Sequence, residues 1–372
     1  MRILHFFKTY YPDAYGGIQQ VIYQLAEGSC KRGAEVDVLA LSPNGPSQNR
    51  LNGNHHVYTS RQDLYVASTG FSLSAINDFR RLAEKADLIH YHFPWPYMDL
   101  VHFLVRPRKP TVVSYHADIV KQKNLLHIYR PLMYHFLNSV DAVVASSPNY
   151  MRTSPVLQSL KRTPDVIPYG LEPSFYTKAS FSQLEKWRNQ FGGRFFLFVG
   201  FLRYYKGLSY LLQAMAGLDY PLVIIGEGPC EKELKAQAAA LGLKQTHFIG
   251  PVTDEDKCAL LELCYGVVFP SHLRSEAYGM TLLEAAMYGR PMISCEIGTA
   301  TTFVNEPNVT GLAVAPADVQ DLRQALIRLW SNPDMAQDMG KSAQLRFYEH
   351  FTATKMVDSY MSIYERVIAK YN

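Results

Sequence analysis

Ser271-His272-Leu273-Arg274-Ser275-Glu276-Ala277-Tyr278-Gly279-Met280-Thr281-Leu282-Leu283-Glu284-Ala285-Ala286 decides the fold of this 372-residue chain. The apolar run Gly266 to Pro270 before it has the length of a buried strand, Gly279 breaks the polar stretch, and Thr281 to Tyr288 has helical character. A strand, a loop and a helix start in that order build an anion site, because the first helical turn offers unpaired N–H groups at the positive end of the dipole. On one unbroken helix Glu276 and Glu284 would point roughly 80° apart. A helix that begins near Thr281 instead leaves Glu276 on the loop and puts Glu284 in the first turn. Both carboxylates can then face one pocket, with the backbone N–H groups of Gly279, Met280 and Thr281 between them. Thr281 and Glu284 also have the spacing of a capping box, which would give Glu284 a local role only. Glu276 has no capping role.

Working outward, short apolar runs alternate with helical segments. In the first half the runs are Arg2 to Phe7, Val36 to Leu41, Leu64 to Ala67, Asp87 to His92, Thr111 to Tyr115, Ala142 to Ala145 and Val166 to Pro168, with helices over Ile18 to Arg32 and Leu73 to Ala83. In the second they are Phe195 to Gly200, Leu222 to Gly226, Thr246 to Gly250, Gly266 to Pro270, Met292 to Cys295 and Gly311 to Pro316. The pattern predicts an α/β fold with parallel, doubly wound sheets, whose ligands sit beyond the carboxyl ends of strands. Its length calls for two domains. The stretch 42–56, rich in Pro, Asn, Gly and Ser, reads as an exposed loop, and Pro173 to Gly193 as the interdomain connection.

Several candidate ligand groups stand at strand ends. Gly16 and Gly17 open the first long helix, where paired glycines either form a turn or let the backbone approach a ligand. His92 and His116 close two apolar runs. Arg203, Lys206 and Gly207 follow the strand ending at Gly200 and suit a diphosphate. Thr253-Asp254-Glu255-Asp256 contains an Asp-x-Asp, which helix-start chemistry explains better than a metal site does.

With 48% hydrophobic and 19% charged residues the composition is that of a globular protein, and no apolar stretch reaches the roughly 20 residues of a membrane-spanning helix. Met1-Arg2 leads straight into a strand, so no signal peptide is expected and the chain is placed in the cytosol. The five cysteines have no pairing or metal-ligand spacing and read as reduced thiols. Residues 1–175 carry 18 Lys and Arg against 13 Asp and Glu, and the remainder 19 against 20. So small an excess leaves no nucleic-acid footprint. Between Pro94 and Phe136, Trp95, Tyr97, Met98, Phe103, Leu125, Leu126, Tyr129, Met133 and Tyr134 interleave with Arg106, Arg108, Lys109, Lys121, Lys123 and Arg130. That mixture fits either a surface meeting anionic lipid or a core-facing helix with a basic outer face.

The Glu-x7-Glu element, within PSHLRSEAYGMTLLEAAMYGRP, resembles the retaining glycosyltransferases of glycosyltransferase family 4, with the GT-B fold, and most of all bacterial O-antigen mannosyltransferases. The likeness extends over nearly the whole chain. It implies two Rossmann-like domains facing each other across a cleft: residues 1–175 binding the acceptor, with a last helix at 354–372 packing back on them, and residues 176–353 binding the nucleotide sugar. On this resemblance Glu276, Arg203, Lys206 and His116 are the catalytic groups. Gly16, Gly17, Val252, Ala277, Tyr278, Gly279, Met280, Thr281 and Glu284 bind the donor, Glu284 at the ribose and Val252 near the base. The family places an arginine directly after the strand's glycine, where this chain has Phe201; Arg203, two residues on and on the same side of an extended backbone, is expected to replace it.

The resemblance further implies front-face transfer without a metal, another cofactor or a covalent intermediate. The donor is GDP-mannose, with GDP-rhamnose as the alternative. The acceptor is an undecaprenyl diphosphate-linked saccharide, joined through an α-1,3 bond at the inner face of the plasma membrane, where the enzyme is peripheral. A nucleotide-sugar epimerase on the same fold would need no acceptor, and a silent sugar-nucleotide-binding protein would transfer nothing. A flavin or NAD enzyme has less support, because no GxGxxG follows the first strand.

Overall fold

Short, fully buried strands organise the chain, because runs such as Ile3-Leu4 and Val112-Val113 have apolar side chains on both faces and are stable only when both are covered. The structure, a computed structural model, describes residues 1–45, 48–67, 69–119 and 123–371, for Lys123 and Asn124 the backbone alone. Contacts divide the chain into two units, Met1–Gly170 with Ala353–Asn372, and Leu171–Thr352.

Unit 1 contains β1 (Arg2–Phe6), β2 (Glu35–Ser42), β3 (Gln48–Asn52), β4 (His55–Arg61), β5 (Leu64–Val66), β6 (Thr69–Phe71), β7 (Leu88–Phe93), β8 (Thr111–Tyr115), β9 (Ala142–Ala145) and β10 (Asp165–Val166). Eight of them form one sheet in the order β10-β9-β8-β7-β1-β2-β4-β3, parallel except for the antiparallel pair β3 and β4. Two segments differ from the sequence reading. Part of the stretch 42–56 is the edge strand β3, whose Gln, Asn and Arg side chains suit a sheet edge facing water; residues 46 and 47 lie outside the described residues. The run Leu64 to Ala67 does not join the parallel sheet. Among the described residues its β5 pairs only with β6, and all three of its side chains are exposed.

The helix Ala353–Ala369 belongs to this unit and buries one face made of Met356, Val357, Tyr360, Ile363, Tyr364 and Val367. It lies against the helix Gly17–Cys30. Their close approach is set at Gly28, where a Cβ would come within 2.4 Å of Val357 Cγ2.

Unit 2 contains β11 (Phe196–Val199), β12 (Leu222–Ile225), β13 (Thr246–Gly250), β14 (Gly266–Phe269), β15 (Met292–Cys295) and β16 (Gly311–Val314), all parallel, in the order β13-β12-β11-β14-β15-β16. Helices Leu208–Met215, Val319–Ser331 and Pro333–His350 help enclose a core built on Phe196, Phe198, Leu211, Ile224, Val268, Ile293 and Leu326. In each sheet the strand order reverses beside the first strand, between β1 and β7 in unit 1 and between β11 and β14 in unit 2. A crevice opens at such a point because the following loops depart in opposite directions.

Replacing Gly28 by Ala should lower the stability of unit 1 by about 1–3 kcal/mol, the range for overpacking a close contact. Adding Val357→Ala should recover part of that loss, so the two changes should combine non-additively in denaturant unfolding. A Gly28→Ala protein as stable as the parent would contradict the helix contact.

Candidate functional site

At the reversal point of unit 2, the loops after β11 and β14 bring two groups of the sequence prediction into direct contact. Lys206 Nζ donates to Glu276 Oε2 at 2.5 Å, with side chains only 13% and 12% exposed. Ser271 Oγ donates to the same oxygen at 3.3 Å. The loops are held at that distance by Gly207, whose φ of +72° favours glycine and whose Cβ would fall 1.9 Å from the Pro270 carbonyl oxygen. Thr281 Oγ1 donates to the carbonyl of Val199, the last residue of β11, and thereby ties the next helix to the same strand end.

That helix runs Met280–Met287, with Gly279 as a cap that bonds through no side chain. Gly279 has φ +91°, and a Cβ there would press on the Phe269 ring at 3.1 Å. The capping box at Thr281 and Glu284 is absent. The helix begins one residue earlier than the pattern implied, and Glu284, beyond its first turn, is instead buried against Lys257 Nζ and Tyr176 Oη, each at 3.1 Å. For Lys257, burial opposes the charge, but Glu284 and Asp254 more than offset it and raise its pKa. Neither Lys257 nor Tyr176 belongs to a motif, so no sequence pattern marks them. The Asp-x-Asp is the start of the helix Asp254–Leu263, capped by Thr253, whose side chain accepts from the Asp256 N–H.

The Arg203 guanidinium lies 4.9 Å from the centre of the Phe201 ring, and both side chains are exposed on the loop after β11. Val252 is half-buried between β13 and the helix Asp254–Leu263. Ala277 accepts from the Ala300 N–H, and Tyr278 is buried. The small-residue loop after β15 is clasped by Arg274, whose Nη1 donates to the carbonyl of Gly298 at 3.0 Å.

In unit 1, Gly16 and Gly17 are exposed at the head of the helix Gly17–Cys30. His116 is buried just beyond β8, and both ring nitrogens are engaged: Nε2 with His92 Nδ1 at 2.9 Å, Nδ1 with the Tyr169 hydroxyl. His92 continues to His5, Nε2 to Nδ1, at 2.9 Å. His90 stacks on His92 with ring centres 4.4 Å apart and bonds separately to Tyr364 and Ser114. Ring nitrogens of His5, His90 and His92 lie within 4.8 Å of one another, the only group of potential metal ligands among the described residues. Among the described residues, hydrogen bonds occupy all of these nitrogens except His5 Nε2.

The mixed aromatic and basic stretch divides. Trp95, Tyr97, Met98 and Met133 are core residues, whereas Leu104, Leu125, Ile128, Arg106, Arg108 and Arg130 are exposed. Lys121 and the Lys123 side chain lie outside the described residues. Among the described residues no helix is long and apolar enough to cross a membrane.

Burial pushes the pKa values of His5 and His116 down to about 3 and holds His90 and His92 well below the usual range. The unfolded chain takes up these protons near pH 6.5 and the folded one does not, so each group costs stability as pH falls from about 6.5, approaching about 1.4 kcal/mol per pH unit. Asp99, raised by burial, acts in the opposite sense as a single group. The denaturation midpoint of unit 1 should therefore drop steeply between pH 7 and pH 5. A flat profile over that window would contradict neutral histidines.

The sequence matches the model of glycosyltransferase family 4 over residues 15–175 and that of glycosyl transferases group 1 over residues 182–346. It is 55% identical over 353 residues to D-rhamnosyltransferase WbpZ of Pseudomonas aeruginosa, covering 95% of this chain and 93% of that protein. Identity to O-antigen chain mannosyltransferase C of Escherichia coli is 48% over 368 residues, 99% of each. Among solved structures, sucrose-phosphate synthase from Thermosynechococcus elongatus superposes with a TM-score of 0.82 at 20% identity over 99% of both chains. Anabaena HepE in complex with UDP gives 0.77 at 18% identity over 98% of this chain and 100% of that one. The chain is a glycosyltransferase: it belongs to glycosyltransferase family 4 and has the two Rossmann-like domains of the GT-B fold.

Proposed function

We propose that this protein transfers a mannosyl residue, with retention, from GDP-mannose to an undecaprenyl diphosphate-linked saccharide through an α-1,3 bond during O-antigen assembly. The carrying observation is the Lys206–Glu276 ion pair at the reversal point of unit 2. Two charges kept together at the mouth of a nucleotide-binding sheet can part when a sugar diphosphate enters. Lys206, with Arg203 beside it, then offsets charge on the departing diphosphate, and Glu276 is released to the sugar hydroxyls. The N–H groups at Gly279, Met280 and Thr281 face the diphosphate, with Ala277 and Tyr278 lining the same loop. Glu284, held by Lys257 and Tyr176, receives the ribose, and Val252 lies by the base. The leaving diphosphate takes the acceptor proton, and neither a metal nor a covalent intermediate is required.

From unit 1, Gly16 and Gly17 approach the diphosphate and the acceptor. His116 contacts the sugar after exchanging one of its two present hydrogen bonds. Relatives that bear the names of a mannosyl- and a D-rhamnosyltransferase support a donor of mannose or rhamnose, with GDP-rhamnose as the second reading. Leu104, Leu125 and Ile128, the last 80% exposed, stand with Arg106, Arg108 and Arg130 on one unit and suit the anionic inner face of the plasma membrane.

Purified protein incubated with radiolabelled GDP-mannose, GDP-rhamnose and synthetic lipid-linked saccharides should transfer mannose. Glu276→Ala should lower kcat by at least about a hundredfold while GDP binding survives. Full turnover in that variant, or release of an altered sugar nucleotide without acceptor, would refute the assignment. Changing Leu125 and Ile128 together to Glu should reduce sedimentation with anionic vesicles by about tenfold or more, since each buried aliphatic side chain contributes about 1.5–3 kcal/mol. Unchanged sedimentation would reject the lipid surface.

A further inference from the structure

The imidazoles of His5, His92 and His116 form a single file of hydrogen bonds that ends on Tyr169, and transfer of a sugar does not by itself call for it. A neutral imidazole has one N–H and one lone pair, so along such a file each ring's tautomer dictates the next. Only two arrangements are self-consistent. In one, His5 Nδ1–H donates to His92 Nε2, His92 Nδ1–H donates to His116 Nε2, and His116 Nδ1–H donates to the Tyr169 hydroxyl oxygen. In the other, every donor and acceptor is reversed and Tyr169 donates into the chain.

His5 decides between them. Its Nε2 is fully buried and has no partner among the described residues. In the reversed arrangement that atom carries a buried N–H with no acceptor, and orphaned buried donors are the rarer kind in folded proteins. In the forward arrangement only a lone pair is left there. His90 does not compete, because its two nitrogens are committed to Tyr364 and Ser114, the latter bonded in turn to Tyr360.

We propose that His5 and His92 are positioning residues for His116, which they hold as the Nδ1–H tautomer with Tyr169 as its acceptor. This rests on the reading of His116 as the unit 1 contact of the donor sugar. Its consequence is chemical: a sugar hydroxyl that takes the place of Tyr169 meets an N–H donor and must accept. The file is flanked by His90 from β7, against which Tyr360 and Tyr364 of the helix Ala353–Ala369 pack, and by His55 from β4 and Lys8 after β1. None of these is a carboxylate that would stabilise a proton on the chain, and burial keeps the rings neutral.

The full chain labelled with 15N-histidine distinguishes the tautomers by long-range proton–nitrogen correlation. At pH 7.5 His5, His92 and His116 should all carry the proton on Nδ1; an Nε2–H form of any of the three overturns the proposal. In kinetics, His5→Phe keeps an aromatic ring but removes the donor, and kcat should fall about tenfold with donor KM moving less than about twofold. His5→Asn places an amide N–H at the position of Nδ1 and should restore most of the rate. A purely structural His5 predicts the reverse ranking, with Asn at least as damaging as Phe, and that result rejects the positioning role. His116→Ala with full turnover would overturn the sugar contact, whereas the tautomer measurement tests the chain independently of it.

Discussion

The ion pair of Lys206 and Glu276 is the interaction on which the loop ends of unit 2 depend. Two opposite charges with little exposure would be costly alone, and each is tolerable because the other is present. Their meeting requires β11 and β14 to be neighbours although 66 residues separate Val199 from the start of β14, Gly266. Strand order therefore precedes chemistry here. Gly207 against Pro270, and Thr281 against Val199, fix the loops that the strand order brings together.

Unit 1 meets a different constraint. Four histidines, His5, His90, His92 and His116, occupy the interior at and beside the ends of three adjacent strands. Burying so many titratable groups is possible because each ring is neutral and almost every ring nitrogen is hydrogen-bonded. The C-terminal helix takes part through Tyr360 and Tyr364, so the last residues of the chain complete the interior of its first unit. Unit 2, by contrast, has an aliphatic and aromatic core and concentrates its charge at the loop ends.

Where the sequence was misleading, the reason is tertiary. Leu64, Tyr65 and Val66 have the apolar content of a buried strand, yet they are an exposed strand paired antiparallel with the largely buried Thr69–Phe71, apart from the parallel sheet. Gln48 to Asn52 has the composition of a loop, yet it pairs as an edge strand where polar side chains face water. Thr281 and Glu284 have capping-box spacing, but Gly279 starts the helix earlier and Lys257 draws the carboxylate away. The basic and aromatic stretch mixed core residues such as Trp95 with surface residues such as Ile128, a division that spacing alone does not make.

The sequence by itself determined the alternation of strand and helix, the doubly wound parallel class and the loop that carries Glu276, because these follow from local periodicity, glycine placement and apolar run length. Only the tertiary structure decided which carboxylate meets which cation, that Glu284 belongs with Lys257 and Tyr176, and that His5, His92, His116 and Tyr169 form one file. The physical reason is that such partners lie tens of residues apart in the chain. Their encounter is set by sheet order and burial, which no local pattern encodes.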